Sequence, residues 1–155
     1  MPILSVEQVA AQVPLLADRD GPTLSLVAGC GSLGRFATDE LLAREGAPAD
    51  TFYAVREGRV ALELVAPARA IVIETLGPGD ICGWSWLVPP YRWQFDVRAL
   101  EPVRVLTFDA ACLRGKIERD DALGYALVRR FTPVMLERLQ ATRLRLVDVY
   151  RNPAG

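Results

Sequence analysis

The strongest constraint on this chain is a run of short, β-rich segments over residues 24–108, each closed by glycine or proline. Thr51-Phe52-Tyr53-Ala54-Val55-Arg56 is followed by Glu57-Gly58, and then by Arg59-Val60-Ala61-Leu62-Glu63-Leu64-Val65. A tight, glycine-bearing link between two such runs predicts a hairpin. Ala66-Pro67-Ala68 leads to a further strand over 69–76, and Gly77-Pro78-Gly79-Asp80 makes the next turn. Strands near 96–100 and 103–108 flank Glu101-Pro102. Many short strands at regular spacing indicate a sandwich, roll or barrel.

Helical patterns flank this region. Over 5–17, Val6, Val9, Ala10, Val13 and Leu16 recur at helical spacing, Ser5 is placed to cap, and Pro14 ends or bends the helix. Asp18-Arg19-Asp20-Gly21-Pro22 reads as loop. Asp109 is placed to cap a short helix through Lys116, and Asp120 or Asp121 a longer one to about Tyr150, which Pro133 must kink or interrupt. In the longer helix Val128, Thr132, Met135, Leu139, Thr142, Leu146 and Val149 alternate spacings of four and three, an a/d seam of the kind that pairs helices. A second stripe, Leu123, Leu127, Phe131 and Val134, is placed to face the β-rich body. Two stripes suggest one for the domain and one for a partner; the alternative is that both wrap the same domain. The expected organisation is one domain over 1–155: helix and loop at 1–23, the β-rich body at 24–108, helices at 109–155.

Composition narrows function. The chain has no histidine, which removes Ser-His and Cys-His nucleophile pairs and nearly all catalytic zinc or iron sites. An enzyme would have to run on carboxylates or an imported cofactor, and neither has a signature here, so the chain reads as non-enzymatic. Cys30, Cys82 and Cys112 are an odd, widely spaced set, read as three partly buried thiols with a disulfide framework and a zinc site both disfavoured. A redox role for Cys30 or Cys82 has no specific signal behind it. The net charge of -1 provides no global field for nucleic acid or an anionic membrane. No signal peptide or membrane-length apolar run is seen, and a cytoplasmic location is expected. Arg129, Arg130, Arg138, Arg143, Arg145 and Arg151 make the last helix locally basic, a pattern usually found on a solvated face.

Arg44-Glu45-Gly46-Ala47-Pro48-Ala49-Asp50 leads into the 51–60 segment. An REG turn, a spacer, an aromatic-x-hydrophobic strand and a glycine hairpin in this order resemble the signature of the cyclic-nucleotide-binding superfamily, in its catabolite-activator-like branch. Gly79-Asp80-Ile81-Cys82-Gly83 is similar to the family's G-[DE]-x-x-G lead into its phosphate-binding cassette. The resemblance spans roughly residues 24–150. It implies a mainly β fold with flanking helices (α+β): a double-stranded β-helix or jelly-roll-like β-roll, with a short N-terminal helix and a long C-terminal dimerisation helix.

In that family a short helix after the second glycine points free N–H groups at the cyclic phosphate, as helix N-termini do for anions. An arginine pairs with the phosphate, and a glutamate takes the ribose 2′-hydroxyl. Carried onto this chain, the candidate ligand-binding residues are Gly83, Trp84, Ser85, Arg92 and Trp93. Trp84 stands where the glutamate is expected, and an indole only donates. Counting back from Val97-Arg98-Ala99, the arginine's column falls on Trp93 or nearby, with Arg92 one residue away. Ordinary cAMP recognition is therefore not implied. Trp84, Trp86 and Trp93, with Tyr91 and Phe95, bracket Pro89-Pro90. They read either as an aromatic pocket with Arg92 as anion partner, or as side chains that fill the mouth of the roll in place of a ligand. Asp96 and Arg98, on one side of a strand, read as an ion pair.

The functional expectation is a regulatory module of this type. It would take a cyclic nucleotide (cAMP or cGMP) or another small anion in the cassette and signal through the last helix to a partner protein. The alternative is a ligand-free interaction subunit. A homodimer through Val128, Met135, Leu139 and Leu146 is expected, and no direct DNA or membrane binding, since only Arg151-Asn152-Pro153-Ala154-Gly155 follow the helix.

Overall fold

A computed structural model describes residues 4–17 and 21–151. The chain opens with α1 (Val6–Ala11), where Ser5 and Gln8 form a reciprocal capping box: Ser5 Oγ accepts from Gln8 N at 3.1 Å and Gln8 Oε1 from Ser5 N at 2.8 Å. The helix expected over 5–17 ends at Ala11, ahead of Pro14; Val9 and Ala10 within it, and Val13 and Leu16 in the turns that follow, are buried, while Val6 is half-buried. The reading of 24–108 as wholly β is corrected at its start. Gly21–Ala28 forms a second helix, α2, and the first strand begins only at Gly31. The apolar run Leu24, Leu26, Val27, Ala28 is too short for its period to separate a strand from a buried helix. Of the predicted loop at 18–22, Gly21-Pro22 open α2, and 18–20 lie outside the described residues.

Eight strands follow: β1 (Gly31–Phe36), β2 (Leu41–Ala43), β3 (Thr51–Glu57), β4 (Val60–Val65), β5 (Ala70–Leu76), β6 (Ile81–Cys82), β7 (Asp96–Ala99) and β8 (Val103–Asp109). They make two four-stranded antiparallel sheets, ordered β1-β8-β3-β6 and β2-β7-β4-β5. Consecutive strands mostly change sheet, which produces the β-roll. The hairpin predicted at Glu57-Gly58 is therefore not one: β3 pairs with β6 and β8, whereas β4 pairs with β5 and β7. Gly58 turns a corner between sheets instead, with φ +85°, and a Cβ there would collide with the Pro102 carbonyl oxygen in the facing β7–β8 corner. A local run of strand, glycine and strand looks alike in both cases, and only pairing distinguishes them. The β4–β5 connection over Ala66-Pro67-Ala68 is a true hairpin.

Asp109 caps α3 (Ala110–Arg119), accepting from Cys112 N at 2.9 Å, and Asp120 Oδ1 accepts from Leu123 N at 3.1 Å at the start of α4 (Asp121–Arg151). The helix α4 runs through Pro133 and is not interrupted. Burial of Leu123, Leu127 and Phe131 against the roll holds it, and Thr132 Oγ1 donates to the Val128 carbonyl at 2.6 Å one turn back. Arg129, whose carbonyl loses its helical donor to the proline, is exposed.

Two further expectations are corrected. Cys30 and Cys112 form a disulfide across an 82-residue separation, with α-carbons 5.9 Å apart, so only Cys82 is a free thiol. Antiparallel pairing of β1 with β8 brings their flanking residues together, a proximity invisible in linear spacing. Arg98 pairs not with Asp96 but with Glu63, across the strands at 2.9 Å, while Asp96 accepts from Glu45 N at 2.8 Å. Glu63 stands directly opposite Asp96 in the β4–β7 register, and Arg98 reaches it on the diagonal, a span open to a long side chain.

Candidate functional site

The cassette is built from a short strand and a strained loop. After β6, Gly83 takes φ +101°, and a Cβ there would sit 2.6 Å from Cη2 of Trp93. A single 3-10 turn (Ser85–Leu87) follows, with Trp84 at its N-cap making no side-chain cap bond. The chain returns through Val88, a cis Pro89-Pro90 bond and Tyr91 at φ +56°. It then runs antiparallel to the segment before β3: Ala49 N donates to Tyr91 O at 2.7 Å, Trp93 N to Ala47 O at 2.9 Å, and Gly46 N to Trp93 O at 2.8 Å. The REG turn and the end of the cassette are thus one hydrogen-bonded unit.

The three tryptophans go to three places. Phe52 and Tyr53 are consecutive on β3 and so point to opposite faces. Trp86 stacks on Phe52 at 4.7 Å, and Phe131 of α4 meets both rings edge-on, at 5.6 Å from Trp86 and 5.7 Å from Phe52. Phe108 of β8 completes this cluster, 4.6 Å from Phe52. On the other face Trp93 stacks on Tyr53 at 6.3 Å and meets Phe95 at 6.1 Å. Both Trp86 and Trp93 are buried core, at 1% and 4% exposure, and Trp84 is half-buried. The indole Nε1 of Trp86 is buried without an acceptor.

Of the other candidate residues, Arg92 is exposed and donates through Nη1 to the Gly46 carbonyl at 2.8 Å. Trp84, Ser85 and Arg92 line one outer cavity of about 230 Å³ with Val88, Pro89, Pro90 and Gln94, whereas Gly83 and Trp93 lie inside. The structure therefore divides the predicted set between an inner and an outer face.

Two arginines that sequence reasoning did not place here hold the cassette to the helices. Arg114 of α3 donates to the carbonyls of Trp86 and Ala49, both at 3.0 Å, pairs with Asp50 at 3.2 Å, and lies 4.7 Å over the Tyr91 ring. Arg138 of α4, read from sequence as one charge of a solvated face, is 9% exposed. It donates through Nη2 to the Ile81 carbonyl, stacks 5.0 Å over Trp84, and leaves Nη1 buried without an acceptor. Arg138 prolongs the inward stripe of Leu123, Leu127, Phe131 and Val134 at helical spacing, a signal the sequence did carry. Arg130, from the same set, is half-buried and reaches the Leu15 carbonyl at 3.1 Å. Cys82, enclosed nearby, has its thiol pushed up to about 12 by burial, with Arg138 opposing the rise and Glu74 adding to it. Burial also raises the Tyr53 phenol, against the hydrogen bond from Thr51.

On the seam proposed for pairing, Val128, Leu139 and Leu146 are exposed at 51%, 47% and 56%, and Met135 is half-buried against the core. Leu136, Leu144, Val147, Val149 and Tyr150 add further exposed apolar area. Among the described residues no cluster of three or more metal-ligating side chains occurs, and no helix is long and apolar enough to cross a membrane.

A family described as "Cyclic nucleotide-binding domain" matches residues 33–120, from β1 through α3. A protein of Geobacter metallireducens described as cyclic nucleotide-binding superposes with TM-score 0.77 at 28% identity, covering 88% of this chain and 99% of its own. The N-terminal domain of a transcriptional regulator from Streptomyces coelicolor has TM-score 0.66 and 25% identity, over 86% of this chain and 94% of its own. The regulatory domain of Toxoplasma gondii PKA, crystallised with cAMP, shares the fold at TM-score 0.62 and 19% identity, over 72% of this chain and 42% of its own. No curated protein matches the chain.

Proposed function

Because the chain belongs to the cyclic nucleotide-binding domain family, we propose that it is a non-enzymatic regulatory module whose roll is filled by its own aromatic side chains and which acts on a partner protein through α4. One observation carries this reading: the Trp93 ring packs against Gly83 and onto Tyr53, on the inner face of the cassette. The second departure agrees with it, since Trp84 cannot accept from a ribose hydroxyl and is instead covered by Arg138. The Phe52–Trp86–Phe131 cluster and Arg138 join the cassette rigidly to α4, so a change in either is transmitted to the other. The exposed apolar seam of α4, centred on Val128, Leu139 and Leu146, then serves a second copy of the chain.

A thermal-shift panel of cAMP, cGMP and cyclic dinucleotides tests this. The expected outcome is no shift, because the ligand's place is taken. Binding at a hundredfold excess over Kd would add about 2.7 kcal/mol, or roughly 2–5 °C at this size, and such a shift overturns the self-filled reading. The sensor reading keeps one specific support, the outer cavity where Arg92, Trp84 and Ser85 meet. It expects a shift that Arg92→Ala abolishes.

A further inference from the structure

The bridge between Cys30 and Cys112 and the grip of Arg114 are both carried by α3, and together they fix that helix from two sides. Cys30 directly precedes β1, and Cys112 lies in the first turn of α3. The Cys30 carbonyl accepts from Asp109 N at 2.8 Å, next to the β1–β8 pair Gly31–Phe108, so the bridge continues the sheet's own register. Its loop encloses all eight strands and the cassette. Two residues after Cys112, Arg114 holds the Trp86 and Ala49 carbonyls, the Asp50 carboxylate and the Tyr91 ring. At 3.6 residues per turn, positions two apart point roughly 200° from each other. One side of α3 is therefore tied to the start of the roll, and the opposite side to the cassette. Opening the disulfide leaves the first side held only by non-covalent contacts, the Lys116 Nζ bond to the Leu26 carbonyl at 2.7 Å and the buried Ala110 and Leu113, and so loosens it relative to the second.

We propose that the Cys30–Cys112 pair is a thiol–disulfide exchange site for a low-molecular-weight thiol of the glutathione class, and that the cassette reads its state through α3 and Arg114. Cys112 is the less buried residue of the pair, half-buried where Cys30 is 7% exposed, and its sulfur is taken as the point of attack. A small thiolate attacks Sγ of Cys112. The Sγ–Sγ bond breaks, its electron pair leaves on Cys30, and that sulfur takes a proton. A second small thiolate attacks the small-molecule sulfur of the mixed disulfide, releasing Cys112 as a thiolate that is then protonated. Two small thiols are oxidised to their disulfide as the protein gains two electrons and two protons, and the small disulfide reverses the sequence. None of this depends on whether the cassette takes a nucleotide.

The chain reports on itself here, because all three tryptophans, Trp84, Trp86 and Trp93, belong to the cassette. The purified protein is equilibrated with reduced or oxidised glutathione and followed by intact mass, iodoacetamide labelling, tryptophan emission and far-ultraviolet circular dichroism. On reduction the mass should rise by two hydrogens and two thiols should become alkylated, with Cys82 unlabelled. Acrylamide quenching should rise at least about twofold, as local loosening would give, with circular dichroism unchanged; oxidised glutathione should restore the first state. Cys112→Ser should hold the reduced-like emission under both conditions. Arg114→Ala should give one emission whatever the state of the bridge. An unchanged emission while the mass shows the bridge open overturns the proposal, as does failure of oxidised glutathione to re-form it. Loss of the circular dichroism signal on reduction also overturns it, because the bridge would then be a structural staple alone.

Discussion

Gly46 and Gly58 share a backbone conformation, φ +84° and +85°, but not an environment. Open space surrounds a Cβ built at Gly46, whereas at Gly58 it would meet the Pro102 carbonyl and Val103. Gly46→Ala should therefore cost only the left-handed backbone penalty, about 1–2 kcal/mol. Gly58→Ala adds displacement of the β7–β8 corner and should cost at least about 3 kcal/mol; urea unfolding of the two variants checks the order. Cys82 gives a pH prediction. Burial raises its thiol from the ordinary 9.0 to about 12, so the folded chain holds that proton more tightly than the unfolded one. Below pH 9 both states are protonated and the contribution is fully present. Between 9 and about 12 the unfolded chain alone gives up the proton, and stability falls by up to about 1.4 kcal/mol per pH unit. Comparing wild type with Cys82→Ala across that window isolates the effect: the variant should show the shallower decline. Gly46 was legible because REG marks a turn directly, and Gly58 as a turn but not as a corner between sheets, whereas the enclosure of Cys82 depends on which elements close over β6.

Among the elements, α4 has the most to explain. Its inward stripe was readable from spacing, and Leu123, Leu127 and Phe131 are buried as expected. Arg138 occupies the next inward position, and its charge hid it within a basic helix. A guanidinium with one unpartnered nitrogen in the core carries an uncompensated desolvation cost. Arg138→Met keeps apolar bulk beneath Trp84 and removes that cost, so its stability should lie within about 1 kcal/mol of wild type. Arg138→Ala leaves a cavity and an uncovered indole, and should lose about 2–3 kcal/mol. If Ala and Met prove equal in chemical denaturation, packing beneath Trp84 is not what Arg138 supplies. The β3–β4 corner shows the opposite case, with both strands correctly bounded by the sequence and their partners misjudged.

For the whole molecule, the proposed homodimer rests on the remaining exposed seam of α4. Val128, Leu139 and Leu146 lie along one helix with no neighbour among the described residues covering them, and their burial in a pair of helices would remove about 25 cal/mol for each Å² of apolar surface from water. Leu139→Glu puts a charge into that seam and should convert a dimer to a monomer in sedimentation or light scattering, without changing the circular dichroism spectrum. Equal solution masses for the two proteins would count against this face. At this scale the cassette, α3 and α4 form one mechanical unit, held by Arg114, Arg138 and the Phe52–Trp86–Phe131 cluster.

The sequence by itself determined a body of short β-strands between helices, most of its turns, its caps and the inward face of α4, because turn chemistry, capping and periodicity act over a few residues; it was the family resemblance that made this body a β-roll. It also located the cassette and exposed the departure at Trp84. Only the tertiary structure decided that Glu57-Gly58 turns between sheets, that Cys30 meets Cys112, that Arg98 takes Glu63, and that Trp86 and Trp93 enter the core. Each of those outcomes is a contact between residues far apart in the chain, chosen by strand pairing and closure of the core, and no local pattern encodes the distance it spans.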